Sequence, residues 1–210
     1  MLRGESSLTF REFIMREPVP LAEIQAAVLE FLRRRDDAAV FGAQAVDAYV
    51  DEPRMTQGVD VLSPHAAEIG EELRATLADR FNIALRVREI GGGRAYRLYQ
   101  VRKPRNRHLA DVRPVDALPP ARRHEEVLVV TPEELVASKV PAYHRRRGKP
   151  KAGTDWRDLA MLLLAFPELK VAAGPVRERL LAAHADDRAL ATREELVAQE
   201  ITPEDEEDEF

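Results

Sequence analysis

The chain has 210 residues, of which 45% are hydrophobic and 33% are charged. This composition allows one large domain to bury a core and keep a charged surface. No apolar run reaches the roughly 18 residues of a membrane span, and the opening MLRGESSLTFREF lacks the apolar segment of a signal peptide. The absence of cysteine excludes disulfides and thiolate metal sites. We therefore expect a cytoplasmic protein without a membrane partner.

The net charge of −5 hides an uneven distribution of charge. Six acidic residues run from Glu204 to Glu209, and without them the net charge is +1. Between Arg102 and Lys151, 13 Lys and Arg residues stand against 6 Asp and Glu. Such a basic segment suits a polyanion, although a charge run is usually a solvated face, and an acidic tail is usually a disordered solubiliser.

The first third of the chain alternates helix and strand. Residues 7–15 are compatible with a short helix, and the 3–4 spacing of apolar residues from Leu21 onward predicts an amphipathic helix. A short apolar strand then covers Ala38–Phe41, followed by a glycine turn at Gly42 and a further helix. A second strand is predicted over Val59–Leu62.

The middle third predicts a helix and four more strands. Residues Pro64–Phe81 show helical periodicity. The segments IALRVREI and RAYRLYQV alternate with period two around Gly91–Gly93, which predicts a hairpin. The segment NRHLADVRPVD reads as a strand with Asp111 near its middle, and Glu125–Val130 reads as the last strand.

The last third is predicted to be helical. A helix starts after Thr131, the expected N-cap, and Pro141 should kink it. The loop GKPKAGT leads to a helix with Asp155 at its start, where a capping role is the first interpretation. Two more helices are predicted over Pro175–His184 and Thr192–Glu200.

Two runs near the first strand resemble a known superfamily. They are Gly42-Ala43-Gln44 and Arg54-Met55-Thr56-Gln57-Gly58-Val59-Asp60. A strand–glycine–helix element followed by an Arg-x-Thr-x-Asp-x-Asp strand resembles the nucleotidyltransferase (DNA polymerase beta-like) superfamily. More specifically, it looks like the AbiEii toxin family of abortive-infection and toxin–antitoxin systems. Gly58 stands where that family has its first metal-binding Asp.

Two later motifs extend the resemblance to about residues 36–165. They are Ala137-Ser138-Lys139 and Thr154-Asp155-Trp156-Arg157-Asp158-Leu159. The resemblance implies an α/β fold with an α+β layout, in which a nucleotidyltransferase-like mixed sheet is flanked by helices. We therefore expect a sheet domain over 1–130, a C-terminal helical part over 131–200 and a disordered acidic tail over 201–210.

The resemblance also implies which residues form the site. Four acidic and basic residues would be catalytic, the first two of them as ligands of Mg²⁺: Asp60, Asp111, Lys139 and Asp158. Five residues would bind the nucleoside triphosphate (NTP) substrate: Gly42, Ala43, Gln44, Arg54 and Thr56. Two carboxylates at i and i+2 of one strand point the same way and can share a metal pair, so a glycine at position 58 should weaken a two-metal site.

Three explanations of Gly58 remain open on the sequence alone. The glycine is an inactivating substitution in an engineered chain, or the product of natural decay into a binding protein, or another acid takes the missing role. The third explanation concerns Asp47, Asp51 or Glu52, none of which has the required spacing. The five histidines show no metal-ligand spacing and are interpreted as non-ligands.

The function implied by the resemblance is that of a toxin that transfers a nucleotide from NTP to tRNA, another RNA or a protein, with Mg²⁺ and a cognate antitoxin as partner. The alternative is a non-catalytic nucleotide- or RNA-binding module with a degenerate site. Lys139 lies among Leu135, Val136 and Val140, so it either binds phosphate or extends its amine to solvent. The basic run around Arg145 would track the backbone of an RNA acceptor.

Overall fold

The structure, a computed structural model, describes residues 19–203. The helix considered for residues 7–15 and the acidic run after residue 203 lie outside the described residues. No helix within 19–203 is long and apolar enough to cross a membrane.

Within residues 19–203 the chain forms seven α-helices and seven strands. The helices are α1 (Leu21–Leu32), α2 (Gly42–Asp47), α3 (Ala66–Phe81), α4 (Pro132–Arg146), α5 (Lys151–Ala165), α6 (Pro175–Ala182) and α7 (Asp187–Ala198). The strands are β1 (Ala39–Phe41), β2 (Val59–Ser63), β3 (Leu85–Ile90), β4 (Ala95–Gln100), β5 (Arg107–Pro114), β6 (Ala121–His124) and β7 (Val127–Val130). A 3₁₀ turn covers Pro167–Leu169.

All seven strands belong to one mixed sheet, in the order β3-β4-β5-β2-β1-β7-β6. The pairs β2–β5 and β1–β7 are parallel, and the other neighbouring pairs are antiparallel. Helices flank this sheet, so the predicted fold class, a mixed α/β sheet flanked by helices, is confirmed.

One face of the sheet carries the main apolar row. Val40, Val61 and Val112 are register neighbours on β1, β2 and β5, and all three belong to the hydrophobic core. Gly70 of α3 packs on this face, where a Cβ added at Gly70 would lie 3.5 Å from the Cβ of Tyr96, itself the register partner of Val112. Because side chains alternate along a strand, the residues next to these valines point to the opposite face.

The boundaries of the C-terminal helices differ from the prediction. Helix α5 begins at Lys151, four residues before Asp155, since Pro150 occupies its N-cap and only Gly148 needs a positive φ (77°). Asp155 therefore does not cap a helix. Helix α7 begins at Asp187, and not at Thr192, because the side chain of Asp186 caps it.

Two further local predictions differ from the structure. Thr131 precedes α4 as expected, but its side chain makes no capping hydrogen bond, and the helix continues through Pro141 to Arg146. Strand β6 was not predicted, because its sequence ARRH carries no apolar alternation; its register with β7 places it at the sheet edge.

Candidate functional site

A row of side chains crosses four strands on the face opposite the apolar row. Phe41 is the register partner of Asp60, Asp60 of Asp111, and Asp111 of Arg97. We call Phe41, Asp60, Asp111 and Arg97 the carboxylate row. Strands in a sheet lie about 4.8 Å apart, so the two predicted metal ligands are direct neighbours on one face.

Each carboxylate of the row is paired with an arginine. Arg97 donates to both oxygens of Asp111, from Nε at 2.8 Å and from Nη2 at 2.9 Å. Arg113 places Nη2 3.4 Å from Oδ1 of Asp60 and stacks its guanidinium 4.8 Å above the centre of the Phe41 ring. The bidentate Arg97–Asp111 pair is the stronger of the two, because its two hydrogen bonds are short and parallel.

The surroundings of Asp60 and Asp111 shift the pKa values of the two carboxyl groups in opposite directions. Burial would raise the pKa of Asp111, but the contacts with His108 and Arg97 outweigh it and hold that pKa well below its usual range. His108 Nε2 lies 3.3 Å from Oδ1 of Asp111, close enough for the imidazole to lower that pKa together with Arg97. For Asp60, burial raises the pKa, and the charge of Asp111 adds to the rise while Arg113 opposes it.

Gly42 brings the backbone against the carboxylate row. Its φ is +74°, in the left-handed region that favours glycine. A Cβ at this position would lie 2.7 Å from Oδ2 of Asp60, closer than atoms tolerate. Gly42 and Ala43 open α2, so the predicted glycine turn and the predicted metal ligand do meet in the structure.

A neighbouring side chain closes off the space beside Gly58. A Cβ on Gly58 would lie 2.8 Å from Cε1 and 2.9 Å from Nδ1 of His108. It would also lie 2.9 Å from the carbonyl oxygen of Leu109, a backbone atom that cannot swing away. The imidazole of His108 thus occupies the space into which an aspartate at position 58 would project.

The described residues do not fit a two-metal site. No group of three or more His, Cys, Asp or Glu residues within 19–203 could hold a metal ion. Both oxygens of Asp111 are already engaged by Arg97, and Asp60 faces Arg113. Two arginines balance the two carboxylates, so the local charge that would attract divalent cations is absent.

No nearby acid takes the missing role. Oδ1 of Asp47 accepts a hydrogen bond from the backbone N–H of Arg54 at 3.1 Å, and Asp47 lines a cavity on the other face of the sheet. Asp51 and Glu52 are exposed. Glu52 lies 3.8 Å from Arg157, in an exposed ion pair.

Three of the predicted site residues form one buried cluster. Oδ2 of Asp158 accepts from Nζ of Lys139 at 2.6 Å and from Nη2 of Arg54 at 3.0 Å, and Oδ1 accepts from Nε of Arg54 at 2.7 Å. Burial would raise the pKa of Asp158, but Arg54 and Lys139 outweigh it and lower that pKa. The cluster ties α4 and α5 to the loop before β2.

Gln44 and Thr56 point to the other face of the sheet. Oε1 of Gln44 accepts from Oγ1 of Thr56 at 2.9 Å, and Nε2 of Gln25 on α1 donates to the carbonyl oxygen of Thr56 at 2.9 Å. Together with Arg54 they line a cavity of about 440 Å³, whose floor includes Val40. Gln44, Arg54 and Thr56 thus line a cavity that no residue of the carboxylate row lines, whereas Gly42 lies against Asp60.

Much of the basic segment is engaged within the chain. Arg146 donates to both oxygens of Asp155 at 2.9 and 2.8 Å, and Arg147 pairs with Glu195. Arg107 donates to Oε1 of Gln100 at 2.7 Å and to a backbone carbonyl. Asp155 is thus an ion-pair partner between α4 and α5, which corrects its predicted role as a cap.

The sequence reasoning missed Arg97, Arg113 and His108. A signal for Arg97 was present, because the hairpin strand RAYRLYQV alternates and its next neighbour carries Asp111. Opposite charges directly across a strand pair stabilise the sheet, so pairing that hairpin with the Asp111 strand would have indicated the partner. Nothing in the spacing of residues 58 and 108 indicates that the imidazole fills the place of a Cβ.

No family model matches the chain, and no curated protein is significantly similar to it in sequence. Among solved structures, the Megavirus polyadenylate synthase is 11% identical with a TM-score of 0.57, covering 80% of this chain and 40% of the synthase. JHP933 from Helicobacter pylori is 13% identical with a TM-score of 0.56, and 91% of this chain matches 90% of that protein.

These two similarities concern the fold. The chain spans less than half of the viral synthase, whereas it matches JHP933 over almost the full length of both. Its mixed sheet and flanking helices agree with the architecture that the resemblance implies. The chain has a nucleotidyltransferase-like α/β fold, with Asp60 and Asp111 side by side next to the Gly42 turn.

Proposed function

We propose that the chain is a nucleotide-binding protein with a degenerate nucleotidyltransferase site, and that it binds the phosphates of an NTP on the carboxylate row. The observation that carries the proposal is the pairing of both carboxylates with arginines beside a glycine turn. Arg97 and Arg113 keep about half of their side-chain surface exposed (43% and 47%), so their guanidinium groups can contact a ligand.

The position of Gly58 supports binding over two-metal transfer. Because His108 fills the space of the missing acid, restoring that acid requires a displacement of the imidazole. The pairing of Asp111 with Arg97 gives a second reason, since a metal ion would have to compete with a bidentate ion pair. The site keeps the architecture for holding a phosphate chain and has lost the carboxylate triad.

Hydrogen exchange with and without ATP tests the proposal. We expect protection of the peptides that contain β1, the Gly42 turn, β2 and β5, because these carry the row. Helix α7 serves as an internal control and should exchange at the same rate in both samples. Absence of ATP-dependent protection at 59–63 and 107–114 would contradict the proposal, as would protection confined to 44–56 and 124–129, which contain much of the cavity lining.

A second candidate is the AbiEii-like toxin, which would transfer a nucleotide from NTP to tRNA, another RNA or a protein. The adjacency of Asp60 and Asp111 at the Gly42 turn favours it, because one or two carboxylates together with substrate phosphates can hold a Mg²⁺ ion. Magnesium, a cytoplasmic location and an antitoxin partner belong to this candidate. In it, Lys139 and Asp158 would act with the carboxylates, and Gln44, Arg54 and Thr56 would position the nucleotide.

Labelled NTPs, magnesium and total tRNA separate the two candidates. Wild type is compared with Gly58→Asp and with Gly58→Asp/His108→Ala, in which the clash with the imidazole is removed. Label transfer by wild type would support the toxin. Transfer only by the double variant would support a binding protein with a lost catalytic acid, and no transfer by any variant would remove a toxin that acts on tRNA.

A further inference from the structure

We propose that Arg97 and Arg113 take the place of metal ions, so that this chain binds the triphosphate of a nucleotide without a divalent cation. The inference rests on the proposed function and specifies how the phosphates are held. It follows from a disagreement between the fold, which implies metal-assisted binding, and the described residues, which provide guanidinium groups where cations would be needed.

The charges around the row make a divalent cation unnecessary. Asp60 and Asp111 carry two negative charges, and Arg97 and Arg113 neutralise them. An incoming polyphosphate therefore meets a row whose carboxylates are already neutralised before any metal is added.

The guanidinium groups keep donors for a ligand. Arg97 uses Nε and Nη2 for Asp111, and its Nη1 makes no hydrogen bond to residues 19–203. Arg113 contacts Asp60 through Nη2 alone, at 3.4 Å, and its planar group is held over Phe41. Each carboxylate thus orients one arginine and leaves some N–H donors of that guanidinium group free. Free donors of a guanidinium group bind phosphate oxygens.

The ligand class follows from these donors. Two guanidinium groups on one sheet face match a chain of phosphates better than a single carboxylate or sugar. The Gly42 turn leaves the approach to Asp60 free of a side chain. The phosphate chain of a nucleoside triphosphate is therefore the part recognised here.

Calorimetric titration of the wild-type chain with ATP, in magnesium and in EDTA, tests the inference directly. We expect the Kd in EDTA to equal the Kd in magnesium within about threefold, because the cationic groups belong to the chain. Binding in magnesium that is lost in EDTA would overturn the inference and leave the proposed function standing. Absence of binding in both buffers would overturn the proposed function itself.

Inorganic tripolyphosphate in EDTA identifies the recognised group. It should displace ATP, since the phosphates supply the contacts, and failure to displace ATP at a hundredfold excess would overturn the inference. Replacement of either arginine, as Arg97→Gln or Arg113→Gln, should weaken metal-free ATP binding about tenfold or more, the effect of losing a charge-assisted hydrogen bond.

A matched variant controls for charge alone. Arg74→Gln removes one positive charge from α3, whose Gly70 packs against the opposite sheet face, and should leave the Kd unchanged. Arg97→Lys keeps the charge but loses the bidentate fork, so its affinity should fall between wild type and Arg97→Gln. Equal weakening by Arg74→Gln and Arg97→Gln would overturn the inference, and thermal melts of all variants confirm that they are folded.

Discussion

Nζ of Lys139 lies 2.6 Å from Oδ2 of Asp158, and the side chains of both residues are almost fully buried. Arg54 contacts the same carboxylate from the loop before β2, through Nε and Nη2. A buried carboxylate with two cationic partners joins the helical part of the chain to the sheet. Residues that were expected to act on a nucleotide are thus also structural contacts of the fold.

Lys139→Met should destabilise the chain by about 3 kcal/mol, because it leaves the carboxylate of Asp158 buried with only Arg54 as partner. Urea unfolding at pH 7 measures the effect. Lys149→Met, at an exposed position between α4 and α5, is the matched control and should stay within about 0.5 kcal/mol of wild type. A loss below about 1 kcal/mol for Lys139→Met would show that the ion pair contributes little.

Gly58→Ala should destabilise the chain by about 1–3 kcal/mol, although it adds only a methyl group, because that group meets the His108 ring and the Leu109 carbonyl. The double variant Gly58→Ala/His108→Ala should recover part of the loss by removing the ring contact. Thermal and urea unfolding of the two single variants and the double variant measure this coupling. Additive effects of the two substitutions would contradict a direct contact.

Acid should destabilise the chain through Asp111. Its pKa in the folded state lies below the value of about 3.9 for an unpaired Asp. The stabilisation from this group is therefore complete above pH 4 and is lost as the pH falls from about 4 toward the folded pKa. The raised pKa of Asp60 acts in the opposite direction, because protonation of Asp60 favours the folded state.

Asp111→Asn isolates this contribution. Urea unfolding at pH 7, 5, 4 and 3 should show a smaller loss of unfolding free energy below pH 4 in Asp111→Asn than in wild type. Asp79→Asn, an exposed substitution on α3, should keep the wild-type dependence. Identical pH profiles for wild type and Asp111→Asn would mean that Arg97 does not hold this carboxylate in solution.

Asp186→Ala should cost about 1 kcal/mol, because Oδ1 of Asp186 accepts a hydrogen bond from the backbone N–H of Ala189 at 2.8 Å and caps α7. Asp187→Ala removes a neighbouring, exposed acid that makes no such cap and should cost less than about 0.5 kcal/mol. Denaturant unfolding measures the loss of unfolding free energy in each variant. Equal losses would mean that both acids act only through their charge at the N-terminus of α7, and not through the capping hydrogen bond.

Periodicity predicted the framework and missed the contacts that decide the site. The alternation in VDVLS and the apolar spacing of α3 indicate strand and helix because side-chain period follows backbone geometry. The segment GKPKAGT was predicted to be a loop, but α5 already begins at Lys151. Its proline did not settle this, because Pro150 can precede the start of a helix as well as follow the end of one.

Which residues meet at the site depends on contacts between parts of the chain that are distant in sequence. Arg97 and Asp111 are 14 residues apart, and only the register of β4 against β5 puts them together. The direction in which Gln44 points depends on Thr56 and Gln25, which no local pattern connects. Resemblance placed Asp60 beside the glycine turn correctly, since that arrangement belongs to the fold.

The contact between Gly58 and His108 makes the two positions interdependent over evolution. A lineage that gained an acid at 58 while the imidazole remained would meet a steric barrier before any benefit appeared. Such a path needs two mutations whose combined effect differs from the sum of their separate effects. A single substitution at position 58 is therefore disfavoured while the imidazole is present. Homologous chains should therefore vary at these two positions together, with a bulky ring at the second position accompanying glycine at the first.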